Sequence, residues 1–282
     1  YDCRNIRYVS AKSEIIKNLW SVIDATEQPE SDYFDSTSNV LFISNVAGVP
    51  NKKDKNGWIS KVDPETGKIL SAKWVKGLSA PKGMRAAGGT LWVSDIDEVL
   101  AIEISTGRIK KRFKIKGATF LNDVAIGPRG EVYLSDMLVS KIHKIEDGKV
   151  TVFAQGTEFE SPNGLLVTDR KLVVAAWGAN PAADFSTKIP GHLYSIDLNT
   201  KEKTLITKQP LGNLDGLEVT SDGSYLVSDW IAGKVFSVNS AGKSELLIEG
   251  LGGSADIGFI PTSKTLIVPR MNENKVSAYL LQ

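Results

Sequence analysis

Six residues occupy one position of an internal pattern: Glu30, Lys82, Asn122, Asn163, Asp215 and Asp256, at separations of 52, 40, 41, 52 and 41 residues. Four of them, Glu30, Asn122, Asn163 and Asp215, are the carboxylate and amide oxygen donors that a hard cation such as calcium prefers. The two carboxylates balance a divalent charge. An Asn or Asp ahead of a strand is by itself ordinary turn chemistry, but four oxygen donors in one register outweigh that explanation. A cation with open coordination positions polarises a carbonyl or phosphoryl oxygen and stabilises the charge that develops there. Asp215 is the candidate nucleophile or base, because its carboxylate would lie beside a substrate as well as the ion. Coordination lowers a carboxylate's basicity, so a ligand-only role for Asp215 stays open, with water then the nucleophile. Asp256 is a candidate further ligand or a contact to substrate or channel water. Lys82 is a candidate contact to an anionic substrate or a partner of a ring carboxylate, set against a solvated rim position.

These residues meet only if the chain is a closed ring of repeats, and the sequence repeats at about 40 residues, the period of propeller blades. "PESDYFDSTSNVLFISNV", "PKGMRAAGGTLWVSDIDEVLAIEI", "LNDVAIGPRGEVYLSDMLVSKIHKI", "PNGLLVTDRKLVVAAWG", "LDGLEVTSDGSYLVSDWIAGKVFSV" and "ADIGFIPTSKTLIVPRMNENKVSAY" are six copies. In each, Val, Ile, Leu, Tyr and Trp runs are bounded by Gly, Pro, Asp, Asn and Ser turns, and no long amphipathic helix intervenes. Outer strands fall at "ILSAKWV", "RIKKRFKI", "KVTVFAQ", "KTLITK" and "SELLIEG". The last copy ends one strand short, and "EIIKNLWSVI" near the N-terminus supplies it, closing the ring without a free edge. The expected fold is all-β, a six-bladed β-propeller of four-stranded blades in one domain over residues 1–282. The six repeat positions then start the innermost strands and face one mouth of the central channel.

The loop between second and third strands opens on that same face. It is tight in four copies and expands to "NVAGVPNKKDKNG" in the first and "WGANPAADFSTKIPG" in the fourth, which stand opposite each other. They read as two walls or a partial lid over the mouth, as loops on a rigid scaffold commonly do. Phe120, Trp177 and Trp230 fall near this face and would supply an apolar wall. The pairs Ser94-Asp95, Ser135-Asp136 and Ser228-Asp229 read as turn-stabilising side chains.

The motifs "PESDYFD", "LNDVAIGPRGEVYLSD", "SPNGLLVT" and "LDGLEVTSDGSYLVSD" resemble those of the calcium-dependent propellers of the gluconolactonase and regucalcin (senescence marker protein) group, with paraoxonase and diisopropyl-fluorophosphatase more distant. The resemblance spans essentially the whole chain. It implies a catalytic divalent metal, Ca2+ or another divalent cation, on Glu30, Asn163 and Asp215. Asn122 is then a fourth ligand or a catalytic contact to substrate and water, and the implied activity is hydrolysis of a lactone, ester or organophosphate. Sugar-lactonase relatives commonly carry Arg two residues before the Asn of their "ND" motif, where this chain has Phe120; that argues against a sugar-acid lactone. Paraoxonase-like enzymes are linked to histidines near the metal, whereas His143 and His192 fall on third strands, away from the axis.

The remaining composition narrows the partners. The 34 Lys and Arg against 33 Asp and Glu give a net charge of +1 without a basic cluster, so no nucleic-acid partner is expected. No stretch approaches the roughly 20 apolar residues of a membrane span. Cys3 is the single cysteine, so a metal would rest on oxygen or histidine rather than thiolate. A start at Tyr1 rather than Met leans toward a periplasmic or secreted location after leader removal and leaves the compartment open. A monomer acting on a small-molecule substrate is expected. The alternative is a non-catalytic propeller with a structural calcium ion whose loops bind a ligand or a protein, and a lyase or synthase on the same scaffold is a third possibility.

Overall fold

The computed structural model describes residues 16–281. These form six antiparallel four-stranded sheets, each built from one copy of the repeat. The inner strands are Pro29–Asp35, Pro81–Ala87, Leu121–Ile126, Pro162–Thr168, Leu214–Val219 and Gly258–Ile260 in blades one to six. Each contacts the next, and the first also contacts the sixth, so the sheets close into a β-propeller. Helix is confined to three single 3-10 turns among the described residues, two of them in second-to-third-strand loops, at Met137–Val139 and Met271–Glu273.

The N-terminal strand falls where the repeat count requires it. Lys17–Val22 pairs antiparallel with Lys275–Leu280 and completes blade six. The outer strands are the least regular elements. That of blade four is only Lys203–Leu205, shorter than the run "KTLITK", because Ile206 and Thr207 turn back to bond the Leu193 carbonyl. Outer strand Ile109–Lys114 is mostly exposed and charged, which discourages edge pairing with another molecule.

The core lies between blades. Tyr133, Phe153, Leu172 and Tyr194 join blades three and four, and Phe42, Ile59, Leu91 and Leu100 join blades one and two. Middle strands are apolar on both faces because each sheet is covered on both sides, and each such Val, Leu or Ile contributes about 1.5–3 kcal/mol of burial. At the axis there is no room for this packing. Glycines there let neighbouring inner strands touch: a Cβ on Gly164 would lie 2.0 Å from the Asp215 carbonyl oxygen, and one on Gly216 2.1 Å from the Ile257 nitrogen.

Candidate functional site

Local backbone irregularity aims the ring residues. The inner-to-second-strand register slips between Pro29 and Ser31, Pro81 and Met84, Leu121 and Val124, Pro162 and Gly164, and Leu214 and Leu217. Glu30, Lys82, Asn122, Asn163 and Asp215 each sit inside one of these bulges. A bulge inserts a residue outside the ladder and re-aims its side chain.

Serines on the second strands hold the bulges. Ser44 Oγ accepts the Ser31 N–H at 3.0 Å, Ser135 Oγ the Asp123 N–H at 2.8 Å, and Ser228 Oγ the Gly216 N–H at 2.7 Å. The following acids tie down the loop that leads into the inner strand. Asp95 accepts from the Ser79 and Ala80 N–H groups, and Asp136 accepts from the Phe120 N–H. The Ser-Asp pairs thus support the ring more than the tight turns that follow them; only Asp229, accepting from the Ala232 N–H, braces its own turn.

Glu30, Asn122, Asn163 and Asp215 are all buried, and all but Asn163 line the cavity at the mouth. Glu30 Oε2, Asn122 Oδ1 and Asn163 Oδ1 are buried with no hydrogen-bond partner. Asn163 Nδ2 donates to the Leu214 carbonyl at 3.1 Å, which turns its Oδ1 away from that strand. Burial, then the Asp215 charge, pushes the Glu30 carboxyl well above its ordinary range, against the opposing pull of Lys82. Burial, then Asp123, does the same to Asp215. Unpaired buried oxygens and carboxyls that resist ionising together form an electron-rich pocket, and this donor set fits a hard divalent cation. No group of three or more His, Cys, Asp or Glu among the described residues is arranged as a metal site, so the fit depends on the two amide oxygens.

Beneath the ring lies a second polar layer. Asp123 accepts from Val124 N–H and, across the blade boundary, from Leu165 N–H at 2.7 Å, which couples the Asn122 and Asn163 bulges. Its carboxyl is pushed up to about 6 by burial, with Arg85 and the two N–H donors opposing. Asp256 does not line the mouth cavity. The inner strand of blade six starts late, at Gly258, and Asp256 instead accepts from Ser31 Oγ at 2.6 Å. Arg85, half-buried in blade two, reaches across the axis to Glu218 of blade five at 2.7 Å. Arg85, Glu218 and the cross-blade bonds of Asp123 escaped the sequence reading; the trace available was the charge of Arg85 and Glu218 in otherwise apolar inner strands.

The mouth is a cavity of about 170 Å³ above Glu30, Asn122 and Asp215. Phe120, Trp177, Trp230, Met137, Ile231 and Met271 wall it, with Pro50 from the blade-one insertion and Asp184 and Phe185 from that of blade four. Lys82 also lines it but is no solvated rim residue: it is 1 % exposed, donates to the Pro50 and Ala80 carbonyls at 2.9 and 3.0 Å, and lies 4.6 Å from the Phe120 ring centre. A larger groove of about 580 Å³ lies elsewhere, against Thr220, Leu246 and Phe259, away from the ring donors.

The two histidines lie outside the mouth. His143 is buried against Asp136 at 3.2 Å, and His192 bonds Glu160 at 2.8 Å.

No family model matches the chain, and no curated protein matches it. Solved structures of the same fold do. A gluconolactonase from Xanthomonas campestris is 13 % identical with a TM-score of 0.70, over 92 % of this chain and 88 % of that one. A streptogramin B lyase is 12 % identical with a TM-score of 0.67, over 95 % and 97 %. A catalytically inactive virginiamycin B lyase from Staphylococcus aureus with quinupristin is 15 % identical with a TM-score of 0.62, over 95 % and 99 %.

Proposed function

We propose that the chain is a calcium-dependent hydrolase of a small lactone or ester, with its cation held by Glu30, Asn122, Asn163 and Asp215. The observation that carries this reading is a set of three buried, unpartnered oxygens in one ring of repeat positions: Glu30 Oε2 and Asn122 Oδ1 on the floor of an apolar cavity, and Asn163 Oδ1, which does not line that cavity. A divalent ion bound there would polarise the substrate's carbonyl oxygen. The chain's own groups do the rest. Phe120, Trp177, Phe185 and Trp230 keep bulk water from the floor. Asp215, the carboxylate facing both floor and cavity, is assigned to take the proton of an attacking water or to attack directly. Lys82 is fixed by two carbonyls beside Glu30; burial lowers its pKa, with the Glu30 and Asp95 charges opposing.

Fold likeness to a gluconolactonase and to lyases supports a hydrolase- or lyase-type propeller. The hydrolase is favoured because the floor presents carboxylates and amides suited to a hard cation. The test is a panel of lactones, aryl esters and organophosphates assayed with calcium and with chelator. Chelator-sensitive hydrolysis is expected, and activity indifferent to chelator, or absent across the panel, would overturn the proposal. Asp215→Asn divides its roles: retained calcium binding with lost turnover marks a base or nucleophile, and loss of both marks a ligand.

A further inference from the structure

Phe185 has a backbone that its side chain disfavours. Its φ is +65°, in the left-handed region where a bulky residue is rare. Such conformations persist only where surrounding bonds enforce them, and they cluster at ligand sites. Here the Phe185 N–H donates to the Ala182 carbonyl at 2.9 Å, Ala182 N–H donates to the Ser186 carbonyl at 2.8 Å, and Trp177 Nε1–H donates to the Phe185 carbonyl at 2.8 Å. The insertion of blade four is thereby latched to the propeller body by a wall residue of the cavity. The outcome is a ring delivered into the mouth: Phe185 lies 5.7 Å from Phe120 and 6.4 Å from Trp177, edge-on to the latter, and Trp230 stands 6.2 Å beyond Trp177.

We propose that Phe185 is the specificity-determining residue of the mouth, closing an aromatic box that takes one flat apolar ring attached to the reacting carbonyl and rejects polyhydroxylated rings. The substrate class is an uncharged lactone or ester with a single benzene-sized ring, which rests on the hydrolase reading above. Size supports it. An apolar cavity of roughly 150 Å³ holds one benzene ring, and this one is about 170 Å³. Chemistry supports it as well. Above the floor the polar groups of the wall are Asp184, whose Oδ1 already accepts from the Ser186 N–H and Oγ, and Lys82, held by the Pro50 and Ala80 carbonyls; the rest is aromatic and aliphatic, so most hydroxyls of a sugar ring would lose water without gaining a partner.

The test separates the box from the reaction by using lactams, which bind like lactones and are not cleaved. Titrate the protein, with calcium present, with 3,4-dihydro-2-quinolinone and with gluconolactam, reading the fluorescence of Trp177 and Trp230 together with calorimetry. The quinolinone is expected to bind at least tenfold tighter than gluconolactam. Phe185→Gly removes the ring and is comfortable at this φ, so it folds as the parent does. It is expected to weaken quinolinone roughly tenfold and to leave weak gluconolactam binding unchanged. Equal affinity for the two lactams, or an unchanged quinolinone affinity in Phe185→Gly, would overturn the proposal. Phe185-dependent lactam binding without hydrolysis of any lactone or ester would defeat the hydrolase reading and keep the box. Chelator-sensitive hydrolysis of a sugar lactone without quinolinone binding would do the reverse.

Discussion

Removing divalent cation should make the protein less stable at pH 7.5 than at pH 5, the reverse of what surface carboxylates in ion pairs produce. The cause is the cluster of buried acids at the axis. Burial holds the Asp123 carboxyl at about 6 instead of 3.8, a difference worth about 3 kcal/mol between its protonation states. A carboxyl raised by folding stabilises the native state fully below its unfolded value, and that contribution is lost as pH rises through the folded value. For Asp123 alone about 1.4 kcal/mol disappears between pH 5 and 7.5, or roughly 3–6 °C in melting temperature for a chain of this size. Glu30, Asp32, Asp215 and Asp256 are raised in the same direction, burial being the first cause in each, so their contributions share the sign. Calcium at the proposed site should reverse the effect: at a hundred times its dissociation constant it would add about 2.7 kcal/mol, roughly 5–10 °C. The increment should shrink toward pH 5 as protons compete for the ring carboxylates. Differential scanning calorimetry at pH 5, 6 and 7.5, with chelator and with calcium, measures both terms. A melting temperature that ignores chelator at pH 7.5, or a chelated protein more stable at 7.5 than at 5, would refute the reasoning.

Other variants probe single links. Asn163→Leu keeps the branching at Cγ, at the cost of added bulk and of the Nδ2 bond to Leu214, and removes one unpaired ring oxygen, so it should abolish the calcium increment while the chelated protein still melts cooperatively. Ser228→Ala leaves the Gly216 N–H and the Ala255 carbonyl without their buried partner, and should cost about 2 kcal/mol by denaturant melting. Gly164→Ala drives a methyl against the Asp215 carbonyl and should cost about 3 kcal/mol or more and weaken calcium binding.

The architecture was readable because its signal is periodic. Apolar runs at a fixed interval mark blades, and a copy one strand short forces the N-terminal strand Lys17–Val22 onto Lys275–Leu280. The ring positions were readable for the same reason. What the pattern could not convey was backbone register. Asn122 and Asp123 are neighbours, and only the bulge between Leu121 and Val124 decides that the first faces the floor while the second joins two blades below it. Asp256 shares the repeat position and yet leaves the cavity wall, because its strand begins two residues later. Lys82 is buried by Pro50, a contact across 32 residues that no local pattern encodes. The insertion that carries Phe185 was legible as a wall, but Phe185 itself was not, since its place depends on that loop folding back onto Trp177.

The Arg85–Glu218 pair has a consequence for traffic. It joins inner strands of opposite blades across the axis. On its far side lies a separate hollow of about 310 Å³ beside Tyr33, Phe34 and Phe259. The mouth cavity and this hollow are thus separate, a cup more than a pipe: on the hydrolase reading, a molecule that enters at the mouth leaves by the mouth. On that reading departure must precede arrival, and the proposed turnover would be governed by how fast the vessel empties as much as by how fast it reacts.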